Sequence, residues 1–486
     1  MPRERHQPAF DAPPRMARRA AIELGALSAV SLALPNLLSA GEPANAANQT
    51  DPPRHQPREK SCIFICLSGG PSHVDMFDMK PDQPEEIRGQ YRPIATSVPS
   101  IQICEMMPRI ASLAHHYCLL RSLSHTVIPH IEAAHVCLSG QSDGGANNNA
   151  PYFGSVMARV RPSPPEVPSY VWLHRMLTGT RKWARHDSGG LLGQAYAPIR
   201  VGEDLDNPSQ PGFRVRVFDP PEGVAVGDVR RRYQLLGDLR AARAAGAPAD
   251  VAMEAAAQAD FAKHQANAVD LVTRPMARRA FDLNEEPASV RERYGWHPLG
   301  QYLLMARRLI ESGVRLVGVS GCTGAPPDDP NPPIRQMWDM HDDYYIGNDN
   351  MYGRGLYGMA VALPRLDQAF SALIADMAAR GLLDDTLVVL VGEFGRTPRF
   401  EGKGRGRGHW PFCYTGLLAG AGVRGGAVYG ASDKIGAYVA KGRVIRPEDF
   451  GATVYHALGV PANTRPDPNN LGLRVSAGEP VYEIFS

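Results

Sequence analysis

Two short runs decide what this chain can fold into. Ser61–Leu67 (SCIFICL) and Leu387–Val391 (LVVLV) are almost wholly apolar, with no alternation of polar and apolar positions. A strand of that kind has no solvent face and must be covered on both sides. Strands covered on both sides need helices above and below them. This predicts an α/β fold: a mostly parallel central sheet with helices on both faces. Both runs then break at once into glycine and acid. The first runs into Ser68-Gly69-Gly70-Pro71-Ser72-His73-Val74-Asp75, the second into Gly392-Glu393-Phe394-Gly395-Arg396. Open α/β sheets bind ligands beyond the carboxyl ends of their strands, so these two breaks are where a site is expected.

The rest of the chain fits between and around these strands. Leu299–Gly313 reads as an amphipathic helix leading into a strand at Val314–Val319, the helix–strand order of a parallel sheet. Residues 356–380 read as a long helix ended by Gly381, and Glu448–Leu458 as another. Met107–Leu120 is expected to be helical, as is much of 228–294. Residues 141–170 are rich in Gly, Asn, Pro and Ser, and 171–225 carry short apolar runs without a motif. We therefore expect one domain over 60–486, with surface insertions at about 141–290.

The N-terminus reads as an export signal. Arg18-Arg19 precede an apolar run from Ile22 to Leu38, broken mainly by Glu23 and Pro35, and Ala44-Asn45-Ala46 offers small residues for cleavage. The twin arginine implies the Tat route and a periplasmic or extracellular protein. On this reading 1–46 is signal, 47–59 a polar, Pro-rich linker, and the mature chain carries no integral membrane segment. A net charge of +2, from 52 basic and 50 acidic residues, argues neither for nucleic acid nor for an acidic partner, and no nucleic-acid partner is expected. Seven cysteines show no zinc-type spacing, and buried thiols are the expected state, with room for one disulfide in an exported protein.

Several residues with metal-ligand chemistry fall at strand ends or in glycine-rich loops. Asp339 and His341 lie two apart; Asp75 and Glu393 follow the two apolar runs; His409 sits in a loop of Gly, Arg and Lys. Carboxylate oxygen and imidazole nitrogen suit Zn²⁺, Mn²⁺ and related ions. Such an ion would polarise a phosphoryl or sulfuryl oxygen. Arg396, after the second run, has a donor fork suited to an anionic group. His125, His130 and His135 recur at five-residue steps, which displaces successive positions by about 140° on a helix, so they share no face. Pro129 is expected to open a helix with His130 at its N-terminus.

Longer stretches resemble a known family. GGPSHVDMFDMKP (69–81), EIRGQYRPIATSVPSIQICEMMPRIA (86–111), VVLVGEFGRTPRF (388–400), GHWPFCYTGLLAGAGVRGGAVYGASD (408–433) and PEDFGATVYHALGV (447–460) look like the DUF1501 family of exported bacterial proteins. The resemblance covers nearly the whole chain after the signal. It implies an alkaline-phosphatase-like fold, that of sulfatases and phosphoglycerate mutases.

In that superfamily an acid after the first strand ligates metal, which implies this role for Asp75. A nucleophile starts a helix about ten residues before a small-residue/Gly pair. Counted back from Ser139-Gly140 this implies His130, where Ser, Thr or a modified Cys is more usual; Thr126 is the alternative nucleophile. Asp339 and His341 match an Asp-x-His element, and His409 the late His. Glu393-Phe394 stands where the superfamily has Asp-His, and Gly408 where relatives of this family have Asp. The resemblance thus implies one or two divalent ions (Zn, Mn or Ca). The leading expectation is a metal-dependent hydrolase of a phosphate or sulfate ester, with a sulfated or phosphorylated glycan among the anionic substrates. The alternative is a catalytically silent relative that binds anionic polysaccharide or another cell-surface partner.

Overall fold

The computed structural model describes residues 59–142, 149–174, 189–202, 206–218, 223–244, 269, 275–324, 338–341, 358–402, 405–466 and 474–486. The expected signal (1–46) and nearly all of the linker (47–59) lie outside them. An eight-stranded sheet organises the rest. In chain order its strands are β1 (Ser61–Cys66), β2 (Tyr117–Leu123), β3 (Tyr170–Leu173), β4 (Ile199–Val201), β5 (Leu316–Ser320), β6 (Thr386–Val391), β7 (Tyr414–Ala419) and β8 (Ala427–Tyr429). Across the sheet they run β8-β2-β7-β6-β1-β5-β3-β4. All adjacent pairs are parallel except those made by β7, which runs against β2 and β6. The two apolar runs lie side by side at its centre, with Ile63 opposite Val388 and Phe64 opposite Val389.

Burial on both faces follows the pleat. Ile63, Ile65, Val388 and Leu390 enter one core cluster; Cys62, Phe64, Cys66, Leu387 and Val389 enter the other. On the first face pack the helices Pro298–Glu311 and Met359–Ala379, through residues such as Leu303, Leu309, Leu366 and Phe370. On the second pack α1 (His130–Ser139), the helix Phe153–Val160 and the helix Pro447–Ala457, through Ala134, Leu138, Val156, Phe450 and Tyr455. Among the described residues no helix is long and apolar enough to cross a membrane.

Two expectations about elements change. Met107–Leu120 is not one helix: a short helix spans Pro108–Ser112, and β2 begins at Tyr117. The sheet overrides the helical pattern because Tyr117 and Leu119 face one core while Cys118 and Leu120 face the other, with β7 and β8 on the two edges. The region from 141 to 290 also gives two strands to the sheet, β3 and β4. Trp172 of β3 fits there because its partner on β5 is Gly318, where a Cβ would fall 2.0 Å from the indole. The seven cysteines are all unpaired. Burial pushes the thiols of Cys104, Cys118 and Cys413 up to about 12, which leaves them as packing groups rather than nucleophiles.

Candidate metal centre

The carboxyl ends of β1, β5 and β6 meet at one edge of the sheet, and three loops converge there. What lets them converge is the glycine pair after β1. Gly69 has φ of 117° and Gly70 of 69°. A Cβ on Gly69 would fall 2.4 Å from the amide nitrogen of Asp339, and one on Gly70 2.4 Å from the ring of Phe394. Any side chain here would push off both neighbouring loops. Trp338 anchors the 338–341 segment, its indole N–H donating to Gly321 O at 2.9 Å, while Arg407 N donates to Met340 O at 2.8 Å.

Arg396 binds these loops together. It is fully buried. Its Nε donates to Gly70 O at 2.7 Å, Nη1 to Arg407 O at 2.9 Å, and Nη2 to Gly69 O and to Asp339 Oδ1, the last at 2.8 Å. The anionic group that this donor fork holds is the carboxylate of Asp339, and its other donors go to backbone carbonyls.

Four donor groups collect above this floor. His130, Asp339, His341 and His409 each offer one ligand atom, and those atoms lie within 4.8 Å of one another. His130 Nε2 is 3.3 Å from Asp339 Oδ2, His341 Nε2 is 3.5 Å from Asp339 Oδ1, and His341 Nε2 is 2.8 Å from His409 Nε2. His130 is the first residue of α1, behind Pro129 in extended conformation, as expected. His409 comes from a two-residue ladder in which it faces Arg396 and Trp410 faces Gly395. The ring of Phe394 lies 5.0 Å from His130 and 4.5 Å from His409, so it is a plate against which both imidazoles rest.

The electrostatics split the histidines. Burial pulls the His130 imidazole down, but the carboxylates of Asp339 and Glu393 on its two nitrogens prevail and its pKa is raised. Burial also opposes ionisation of Asp339, yet His130, Arg396 and His341 hold it well below the usual carboxylate range. His409 goes the other way, down to about 3, through burial and then the charge of Arg396. His341 is lowered for the same two reasons. These shifts favour the charged form of His130 between its two carboxylates and the neutral forms of His341 and His409.

This donor set fits a divalent cation. A tetrahedral site with bonds of ~2.0–2.1 Å sets its ligand atoms about 3.3 Å apart, close to the 2.8–3.5 Å separations seen here. His130 carries the outer partner a metal-bound imidazole usually has, because its Nδ1 donates to Glu393 Oε1 at 2.8 Å.

The remaining expected residues lie elsewhere. Glu393 is fully buried behind His130, and its carboxylate also accepts Gly69 N at 2.8 Å and Gly70 N at 3.1 Å. Asp75 is fully buried against Arg407, with Oδ2 2.7 Å from Nε and Oδ1 3.3 Å from Nη2, and it accepts the hydroxyl of Ser72. Neither belongs to the four-donor cluster. The physical reason is the same for both: a buried acid needs donors close by, and here backbone amides and an arginine provide them. Thr126 is exposed on the loop before α1.

Two residues escaped the reading of the sequence, and a third, His125, was named there without a role. His125 is buried, and its Nε2 donates to Glu393 O at 2.6 Å. Arg407 looked like one cation among several in a loop. Glu401 lies against Gly408, where a Cβ would fall 2.5 Å from its Oε2. No pattern in the chain marked the last two, since their partners are more than 300 residues away or across a loop.

The family model described as "Protein of unknown function (DUF1501)" matches residues 59–485. No curated protein matches the chain. Solved structures of similar outline include the phosphonate monoester hydrolase of Silicibacter pomeroyi, with 13% identity, 88% of this chain and 76% of that chain covered, and a TM-score of 0.34. A sulfatase from Pseudoalteromonas sp. shares 11% identity over 88% of this chain and 72% of that one, with a TM-score of 0.38. The phosphonate monoester hydrolase of Agrobacterium radiobacter shares 13% identity over 88% and 77%, with a TM-score of 0.31. Likeness at that level leaves the chemistry to be argued from the site.

Proposed function

The chain belongs to the DUF1501 family, and we propose that it is a metal-dependent hydrolase of a phosphate or sulfate ester that works outside the cytoplasm. The observation that carries this reading is the convergence of His130, Asp339, His341 and His409 at the carboxyl edge of the sheet. These four residues would hold the ion. A divalent cation bound there supplies Lewis-acid polarisation of the ester oxygen and a water of lowered pKa.

The chain's own residues prepare that site. Arg396 fixes one oxygen of Asp339 and leaves the other turned to His130. Glu393 holds the Nδ1 proton of His130, so that Nε2 is the nitrogen turned inward. Phe394 restrains the two imidazole planes and keeps water off their backs. His341, with a side chain 24% exposed, is more open than His130 at 16% and Asp339 at 12%.

Metal analysis of the purified protein, followed by turnover of phosphate and sulfate ester panels, tests the reading. Asp339→Ala and His409→Ala should each lose both metal and turnover. Folded protein that neither contains nor responds to Zn²⁺, Mn²⁺ or Ca²⁺ would refute it. Export through the Tat-type signal is part of the proposal, and an N-terminus after Ala46 in the mature protein is the expected result of cleavage mapping.

One observation favours a second reading. The side chain at the start of α1, where a hydroxyl or thiol nucleophile would be usual, is an imidazole held by two carboxylates. A relative that binds anionic polysaccharide without cleaving it would keep ligand binding in His130→Ala and Asp339→Ala.

A further inference from the structure

Two segments of the metal centre leave strands that are not neighbours in the sheet. β2 leads to His130 and β6 leads to Glu393, with β7 between them. At a strand spacing of ~4.8 Å, the carboxyl ends of β2 and β6 stand about 10 Å apart. β7 runs the other way, and Tyr414 at its start faces Leu123 at the end of β2. The bond between His130 Nδ1 and Glu393 Oε1 therefore requires that two separated strand ends be held in register.

One residue bridges them. His125 lies two residues beyond β2 and is buried. Its backbone N–H donates to Pro411 O at 2.9 Å, on the run between His409 and β7. Its Nε2 donates to Glu393 O at 2.6 Å, two residues beyond β6. Its Nδ1 accepts Val127 N–H at 3.1 Å, on the loop that ends at His130. Its ring stands edge-to-face against Tyr414, with centroids 5.5 Å apart. The runs that supply His130, Glu393 and His409 are thus joined at a single residue.

These bonds assign the proton and the role. A backbone N–H can only donate, so Nδ1 is the acceptor and the proton sits on Nε2, aimed at a carbonyl that can only accept. Both ring nitrogens are in use, and neither has a lone pair left for an ion or a substrate. His125 acts only through what it holds. It fixes the main chain of Glu393, the Glu393 carboxylate holds His130 Nδ1 at 2.8 Å, and His130 Nε2 is left 3.3 Å from Asp339 Oδ2.

We propose that His125 is a positioning residue of the metal centre: its bond to the main chain of Glu393 sets where that carboxylate meets His130, and so aims His130 Nε2 inward. The effect on metal affinity rests on the metal-centre reading, but the His130–Glu393 bond can be observed without metal.

Two substitutions separate the side-chain bonds. His125→Gln places an amide NH₂ near the position of Nε2, so it keeps the bond to Glu393 O and leaves Val127 N–H without its acceptor. His125→Asn places an amide oxygen near the position of Nδ1, so it keeps the bond from Val127 and loses the one to Glu393. Each leaves one buried polar group unpaired, so urea unfolding of the metal-free variants should show similar losses of stability. Calorimetric titration with Zn²⁺ should separate them: about tenfold weaker in His125→Asn, the lower end for loss of an outer partner, and within about threefold of wild type in His125→Gln. The metal-free readout is the downfield proton NMR signal of His130 Nδ1–H in ¹⁵N-histidine-labelled protein, assigned by its absence in His130→Ala. It should persist in His125→Gln and be lost to exchange in His125→Asn.

An unchanged signal and affinity in His125→Asn overturn the proposal and leave the hydrolase reading standing. Equal losses of affinity in both variants, in step with their stability, also overturn it and reduce His125 to a structural brace. If His125→Asn does not fold, His125→Gln decides alone: signal and affinity like wild type support the proposal, and loss of both overturns it. A signal lost only in His125→Asn, in a protein that binds no Zn²⁺ even as wild type, supports the positioning role and removes the metal reading.

Discussion

Glu393→Gln separates an orienting acid from a ligand. The native carboxylate is fully buried and accepts three bonds: from Gly69 N, Gly70 N and His130 Nδ1. Glutamine has the same shape but only one acceptor oxygen. Its better orientation keeps that oxygen on Gly69 and His130 and turns the NH₂ group toward the N–H of Gly70. One buried donor is then unpaired, at a cost of ~1–3 kcal/mol, and the two surviving bonds lose their charge assistance at about 1 kcal/mol each. The expected loss of stability is thus ~3–5 kcal/mol.

The inward aim of His130 loosens as well, and loss of such an outer partner typically weakens metal binding about 10–100-fold. Urea unfolding of the metal-free protein measures the first effect, and calorimetric titration with Zn²⁺ the second. Unchanged stability and affinity would refute the account. Complete loss of metal binding at unchanged stability would show that Glu393 is itself a ligand.

Asp75→Ala should destabilise the fold by ~3–5 kcal/mol, because it leaves the buried Arg407 charge without its carboxylate; chemical denaturation checks this, and metal affinity should stay within a few-fold if Asp75 is not a ligand. Gly69→Ala should cost at least ~1–3 kcal/mol in backbone strain and displace Asp339 as well, which a combined drop in thermal midpoint and Zn²⁺ affinity would report. His297 caps the helix Pro298–Glu311 by accepting Gly300 N at 3.2 Å, and burial, then Arg365, lowers its pKa to about 3. The unfolded chain takes up this proton near pH 6.5 and the folded one does not until about 3, so stability should rise with pH across that window and fall as pH drops through it. His297→Asn, which can still cap, should lessen the slope of urea midpoints measured from pH 4 to 7, the remainder coming from other buried histidines such as His409.

Much of the fold was legible in the chain because its central strands have no polar face. Continuous apolar runs at 61–67 and 387–391 admit few arrangements, and they became neighbouring parallel strands. Tyr117–Leu123 was not legible: its leucines suit a helix equally well, and only β7 and β8 on its flanks make it a strand. The short strands β3 and β4 carry too few residues to show a period.

For the site, the types of residue were readable and their division of labour was not. Asp339, His341 and His409 stood out by spacing and loop context, and His130 by its place at a helix start. Acids alone cannot announce their partners. Asp75 and Glu393 look like ligands in the sequence, yet each is claimed by a donor over 300 residues away, Arg407 by one and the Gly69–Gly70 amides by the other.

The sequence by itself therefore determined the layered sheet and the edge at which a site could form, since both follow from local apolarity and from where glycine interrupts it. Tertiary structure alone decided which charged groups face each other. Burial makes every unpaired charge costly, and only the folded chain brings each one the partner that offsets the cost.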